Sequence, residues 1–281
     1  MAFSEDDRRA YWTQQSDDAY RFMFESILPY RVVECGEKVV SLREASASAG
    51  FDVLFSPSKH VQDLDRLFYL REGQIPGFLG AAREMNQRGW ILRVEDGYRT
   101  REIQKYLGRT PKVFDAVLKS VMWELKGKVP TAEFMFRRCS GMVATVPKFA
   151  THMSGSAIDI SVVYRDDPAK EVDRGAPYME MSALTPMGSP FVSDQAQHNR
   201  REITALMRRH GFLEYPWEFW HYSSGDAYDQ FLSKTGKPAI YGAVDLDPAA
   251  NTVTPLVNPT QPLNSEEEVR AEIEAALRRL G

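Results

Sequence analysis

Cysteine and histidine are both scarce in this chain of 281 residues, which has two cysteines, Cys35 and Cys139, and five histidines. Two thiols without CxxC spacing argue against a disulfide scaffold and against a Cys-rich metal site. Two reduced core thiols are the expectation, with one buried disulfide as the alternative. No stretch approaches the roughly 18 consecutive apolar residues of a membrane span. The first residues, Met1-Ala-Phe-Ser-Glu-Asp-Asp-Arg-Arg9, lack the basic start and apolar run of a signal peptide. Both absences point to a cytoplasmic protein with no membrane partner. An excess of charge is missing too: 35 basic and 39 acidic residues leave a formal net charge of -4, and the charges are dispersed. Nothing in that balance suits nucleic acid or an anionic surface. What is present is a chain 43% hydrophobic, enough for one large domain or two small ones with a proper core.

The elements alternate between helical and extended patterns. Residues 5–29 are charged and then aromatic, and read as one or two helices closed by Pro29. Val32-Val33, Val39 to Leu42 and Phe51 to Phe55 read as short strands. Residues 60–89 read as helical with an interruption at 73–77, ending at Gly89. Trp90 to Val94 is a strand, Tyr98-Arg99 opens a helix, and residues 111–126 form another, with Val113, Val117, Val121 and Leu125 in helical spacing. Ala157 to Tyr164 is a strand with Ile158, Ile160 and Val162 on one face and Asp159, Ser161 and Val163 on the other. The Pro- and Gly-rich segment 165–193 is a long loop, and loops of that length are more often functional than idle. Asn199 to His210 is a helix, and a short run, Trp217 to Tyr222, follows it. Residues 245–264 look like a linker. Ser265 and Glu268 form a capping box for a last helix with Val269, Ile273, Leu277 and Leu280 in a stripe. The division expected is a helical extension over 1–29, a main domain over 30–243, and a linker plus C-terminal helix over 244–281.

Against this plain background two stretches stand out, His152-Met-Ser-Gly-Ser-Ala-Ile-Asp159 and Glu218-Phe-Trp-His221. A carboxylate in the apolar strand around Asp159 is costly to bury unless something pairs it. His152, Asp159 and His221 together make three ligands of a hydrolytic zinc site, which leaves one position open for water. Gly155 lets the backbone bend so that His152 and Asp159 converge. Glu218 sits three residues before His221 and can reach the same site from a helical turn or an irregular strand, where it suits a general base. Arg99, just after the Asp96-Gly97 turn, is the candidate for holding an oxyanion, since its charge is permanent and its donors are planar. A single Glu-x-x-His or His-x6-Asp is weak evidence; the conjunction is not. His60, His198 and His210 have no partner pattern and receive no role.

The combined pattern, His-x-x-Gly-x-Ala-x-Asp followed by Glu-x-Trp-His, resembles the D-alanyl-D-alanine dipeptidase and carboxypeptidase family of zinc peptidases. Asp96-Gly-Tyr-Arg99, Pro186-Met-Gly-Ser189 and the segment Asn199-Arg-Arg201 through Gly211-Phe212 resemble further family motifs, so that the likeness spans about residues 30–243. It implies a compact α+β domain whose central antiparallel sheet carries one zinc ion per chain, flanked by helices. It also implies His152, Asp159 and His221 as zinc ligands, Glu218 as base, and Arg99 as the group that stabilises the transition state. The substrate implied is a small D-alanine-containing peptide. Two departures bear on that substrate. Ala150-Thr151 precedes His152 where the family has Ser-x, which makes Thr151 a candidate substrate contact. Val192 stands where the family often has an Asp that reads the dipeptide amine, and Asp194, two residues on, is the candidate replacement. The rivals to a dipeptidase are a carboxypeptidase acting on peptidoglycan stem peptides and a non-catalytic metal-containing protein that binds peptides. The terminal helices are candidates for a homo-oligomer contact.

Overall fold

The computed structural model describes residues 3–59 and 61–281, so His60 lies outside the described residues. In chain order the elements are α1 (Glu5–Arg21), which runs into a π-helical turn (Phe22–Ile27), β1 (Val39–Ser41), α2 (Leu42–Ala47), β2 (Val53–Phe55), β3 (Tyr69–Arg71) and α3 (Ile75–Gln87). There follow β4 (Trp90–Asp96), α4 (Arg101–Leu107), α5 (Pro111–Glu124), α6 (Ala132–Val143), a 3₁₀ turn (Thr151–Ser154), β5 (Ala157–Tyr164) and α7 (Asp194–Arg209). The chain ends with β6 (Leu213–Tyr215), β7 (Glu218–Ser223), α8 (Ala227–Leu232), β8 (Val244–Asp247), β9 (Thr252–Pro255) and α9 (Glu266–Leu280).

The α+β class holds, and the central sheet is mixed rather than wholly antiparallel. Its order is β2-β4-β5-β7-β6. β4, β5, β7 and β6 pair antiparallel, while β2 pairs parallel with β4. The cause is the connection: between β2 and β4 the chain passes through β3 and α3, and a long crossover of that kind returns the strand in the same direction.

The face of the sheet bearing Leu92, Val94, Ile158, Ile160 and Val162 is covered by Ala81, Ala82 and Met85 of α3 and by Ile203, Leu206 and Met207 of α7. The alternation expected along β5 is therefore the observed core face. A second core joins α5, α6 and α9, with Val117, Met135 and Ile273 buried together. The stripe of α9 is spent here, inside its own chain. Ser265 caps α9, with Glu268 completing the reciprocal box. α1 is tied to the same layer by the buried Arg138, whose guanidinium donates to Asp17 at 2.6 Å and to Glu124 at 2.8 Å.

The structure differs from the sequence reading at several places. Residues 69–71, inside the stretch whose pattern reads as helical, form β3, because they pair with β1 from a distant part of the chain. The linker 245–264 contains the β8–β9 hairpin. Both cysteines are free, but Cys35 is exposed and only Cys139 lies in the core.

Candidate metal centre

Asp159 of β5 and His221 of β7 are direct cross-strand partners, so both side chains leave the sheet on the same face. His152 comes from the 3₁₀ turn just before β5, which ends on Gly155 with φ at 66°, a left-handed conformation that glycine adopts without strain. The turn is pinned from the other side by a backbone hydrogen bond from Arg99 to the His152 carbonyl, 3.1 Å.

The three ligand atoms converge. His152 Nε2 lies 3.2 Å from Asp159 Oδ1 and 3.2 Å from His221 Nδ1, and His221 Nδ1 lies 3.1 Å from Asp159 Oδ1. All three residues are buried, at 4%, 2% and 5% exposure. The outer nitrogen of each ring is already engaged: His152 Nδ1 donates to the Gly97 carbonyl at 2.6 Å, and His221 Nε2 lies 3.0 Å from the Thr151 hydroxyl. The Gly97 bond fixes the His152 tautomer, and with the His221 proton on Nε2 two lone pairs and a carboxylate oxygen face one point, an arrangement that repels itself without a cation in the middle. Two imidazoles and one carboxylate fit a divalent zinc-like ion with one position left open.

The electrostatics support the same reading. Burial, reinforced by the nearby Arg99, lowers the pKa of His152 and keeps it neutral, the form that ligates. Burial opposes the charge of Asp159; proton-donating or cationic forms of His152 and His221 would outweigh it and draw the carboxyl well below its usual range, a part that a bound cation takes over when both rings ligate. Arg99 also overcomes burial: Asp96 and Asp159 keep the guanidinium firmly charged. Its Nε donates to Asp96 at 2.7 Å, one terminal nitrogen to Gln104 at 3.2 Å, and the other to Asp159 Oδ2 at 3.2 Å.

Glu218 and His221 are three residues apart, which would send them to opposite faces of a regular strand. The β6–β7 register jumps, with Glu214 opposite Tyr222 but Tyr215 opposite Glu218. That irregularity brings the Glu218 carboxylate to 4.0 Å from His221 Nδ1. Burial, followed by the charge of Asp159, pushes the pKa of Glu218 well above that of a solvated carboxyl.

The structure thus gathers His152, Asp159, His221, Glu218, Arg99 and Thr151 around one cavity. Thr151 lines it with its hydroxyl turned to His221. Asp194 does not line it; this residue is exposed at the first position of α7. His198 is exposed, and His210 faces Glu84 at 2.9 Å on the surface. Sequence reasoning missed the Gly97 carbonyl, a backbone atom that no motif announces. It also missed Tyr178, whose hydroxyl donates to Asp159 Oδ2 at 2.9 Å from within the long loop.

A buried pair of imidazoles and a carboxylate, with a second carboxylate at hand, is the donor set of hydrolytic metal centres. The chain belongs to the D-ala-D-ala dipeptidase family, whose sequence profile matches residues 72–237. It is 33% identical over 110 residues to a D-alanyl-D-alanine dipeptidase of Synechocystis sp., covering 34% of this chain and 44% of that one. It is 34% identical over 80 residues to the D-alanyl-D-alanine dipeptidase of Escherichia coli, covering 28% and 40%. Each match spans less than half the length of the curated relative. Among solved structures, an LdcB LD-carboxypeptidase matches with a TM-score of 0.37 and 17% identity, covering 75% of this chain and 79% of that one. A variant of the D,D-pentapeptidase VanY in complex with Zn(II) matches with a TM-score of 0.37 and 16% identity, covering 73% and 93%. Among the described residues no helix is long and apolar enough to cross a membrane.

Proposed function

We propose that this chain is a zinc-dependent peptidase that hydrolyses small peptides containing D-alanine, with one ion held by His152, Asp159 and His221. One juxtaposition carries the reading: three ligand atoms converge at about 3 Å spacing while Glu218 stands 4.0 Å from the nearest of them. A bound divalent ion supplies Lewis acidity and makes water a better nucleophile at neutral pH. Glu218 accepts the proton of the attacking water and passes it to the departing amine. Burial raises its pKa, which makes the carboxylate a stronger base than a solvated one. Arg99 keeps a fixed positive charge on the cavity wall, where it offsets the negative charge that develops on the carbonyl oxygen. Asp96 and Gln104 hold that guanidinium in place.

One observation favours a particular form of substrate. The carboxylates lining the cavity are Asp159 and Glu218, and both have work already. Asp194 is exposed away from the cavity, and Val192 packs against Gly175, where an added Cβ would come within 2.4 Å of it. Among the described residues, therefore, no third carboxylate lines the cavity to receive a free dipeptide amine. This supports peptides whose amine is acylated, as in a carboxypeptidase acting on peptidoglycan stem peptides.

The test is a hydrolysis panel of D-Ala-D-Ala, its N-acetyl form and the L isomers, run with and without a chelator. The expected result is chelator-sensitive cleavage of D isomers, with the acylated peptide turned over faster. Protein that carries stoichiometric zinc and cleaves none of them would be a metal-containing binding protein instead, and the proposal would fail.

A further inference from the structure

The loop between β5 and α7 is anchored at two places by buried arginines. Arg174 donates to the Ile160 carbonyl at 2.9 Å and to Ser161 at 3.2 Å, both on β5. Arg200 of α7 donates to the carbonyls of Arg174, Leu184 and Pro186, each at 2.8 Å. The two guanidiniums lie over the ring of Phe219, 4.8 and 4.3 Å from its centroid, so both anchors bear on the strand that carries Glu218 and His221. Between the anchors, residues 175–183 are bonded mostly to their own loop: Gly175 to Asp173, Glu180 to Pro177, Thr185 to Glu180. Among the described residues, the one hydrogen bond from this stretch to the sheet is Tyr178 to Asp159. Met179, next to it, holds φ at 66°, a left-handed backbone that a side chain disfavours.

Tyr178, Met179 and Met181 wall the cavity over the metal ligands, and Met179 and Met181 also line a separate groove beside Lys119 and Trp123 on the outside. The cavity is partly open to solvent, and its inner free space is about 50 Å³. Since roughly 10–15 Å³ of such space admits one water, it holds a few waters and no peptide. Tyr178, Met179 and Met181 narrow the approach to Glu218, and moving them would widen it for a peptide.

We propose that residues 175–183 are a lid over the metal centre and that Tyr178 is its latch, a positioning residue whose phenol orients Asp159 and so couples closure to metal binding. The inference rests on the metal reading given above. Asp159 turns Oδ1 to the two imidazoles and leaves Oδ2 for Arg99 and Tyr178. A carboxylate ligand held through its other oxygen is pre-oriented, and loss of such an outer partner typically weakens metal binding by about 10–100-fold. Reciprocity then requires that the ion favour the closed lid by the same factor by which the closed lid favours the ion. Opening breaks one hydrogen bond, the Tyr178–Trp220 ring contact, 5.6 Å between centroids, and the packing of Met179 and Met181 on the core of α5, α6 and α9, while the arginine anchors stay put.

The experiment is performed on the full chain with Zn²⁺ and Co²⁺ as probes. Zinc affinity is measured by chelator competition for wild type and Tyr178→Phe, and the visible spectrum of the Co²⁺ form is recorded for both. Hydrogen exchange of 175–183 is followed in wild type with and without Zn²⁺, with the β8–β9 hairpin as internal reference. The expected result is about 10–100-fold weaker binding in Tyr178→Phe, an altered Co²⁺ spectrum, and zinc-dependent protection of 175–183 beyond that of the hairpin. Wild type that binds no zinc overturns the metal reading and the latch with it. Wild type that binds zinc, with equal affinity in the variant or no added protection of 175–183, overturns the latch alone. The exchange arm needs no variant, so a misfolded Tyr178→Phe leaves the proposal exposed to refutation.

Discussion

Asp159 faces His221 across β5 and β7, and one residue along the same ladder Ile158 faces Tyr222. Side chains alternate along a strand, so the neighbouring pairs point to opposite sides of the sheet. Both pairs are almost fully buried, at 2% and 5% exposure for the first and 0% for each member of the second. Burial therefore does not separate them; the satisfaction of their polar atoms does. On the core side the one polar atom, the Tyr222 hydroxyl, lies 3.0 Å from the Thr204 hydroxyl. On the cavity side three acceptors crowd together with their outer atoms already bonded, an arrangement that costs the fold unless a cation joins them. One strand pair thus carries stability on one face and chemistry on the other. A slip of one residue would exchange the two faces.

The sharpest way to break this division is to remove the base and leave the ligands. Glu218→Gln should lower kcat roughly 10²–10⁴-fold, the usual worth of a positioned general base. Metal content by elemental analysis should stay at the wild-type value. Near-normal turnover would show that the cavity face does its chemistry without Glu218. The opposite face is probed by Ile160→Ala. Ile160 is 0% exposed in the core under α3 and α7. Its truncation should cost about 2–5 kcal/mol in denaturant unfolding, while zinc affinity below the transition stays unchanged. Metal loss with intact stability would mean that the faces are not separable. A smaller effect tests the outer ring of the site. Thr151→Val removes the hydroxyl bonded to His221 Nε2, and zinc binding should weaken by about 10–100-fold in chelator competition. Unchanged affinity would leave Thr151 free for the substrate role that its place in the motif suggests.

The two faces were not equally legible. The β5 alternation showed directly, because Ile158, Ile160 and Val162 repeat with the period of a strand and Asp159 falls on the opposite face. The ligand set could be read for the same reason: His, Asp and Glu are rare enough in apolar surroundings that their conjunction stands out. What the sequence left open depends on contacts between distant segments. Glu218 and His221 share a site only because the β6–β7 register jumps, and no local propensity encodes a jump. β3 and the parallel β2 are set by strand partners far along the chain. The helix over Ala132–Val143 went unread, since its buried face includes Arg138, acceptable there only through Glu124 and Asp17. The Gly97 carbonyl that orients His152 is invisible to any pattern of side chains. Gly97 itself packs so closely that an added Cβ would lie 2.7 Å from the Leu67 carbonyl.

The mildest probe returns to Tyr222, the core-face neighbour of His221. Burial is the main cause that raises its pKa from 10.0 to about 12. The folded state therefore keeps the phenol neutral where the unfolded chain would ionise it. For a group whose folded pKa is raised, the stabilising contribution is complete below the unfolded value and fades as pH climbs towards the folded one. The window here runs from about pH 10 to about pH 12. Tyr222→Phe removes the titration together with the contact to Thr204, which should cost about 1 kcal/mol at pH 8. Between pH 10 and 12 the variant should lose less stability than wild type, so their unfolding curves approach each other. Thermal melts across that range, with phenolate absorbance followed in parallel, would show it. Curves that stay parallel would mean that Tyr222 is not sealed on the core side, and the contrast with the Asp159–His221 pair would lose its physical basis.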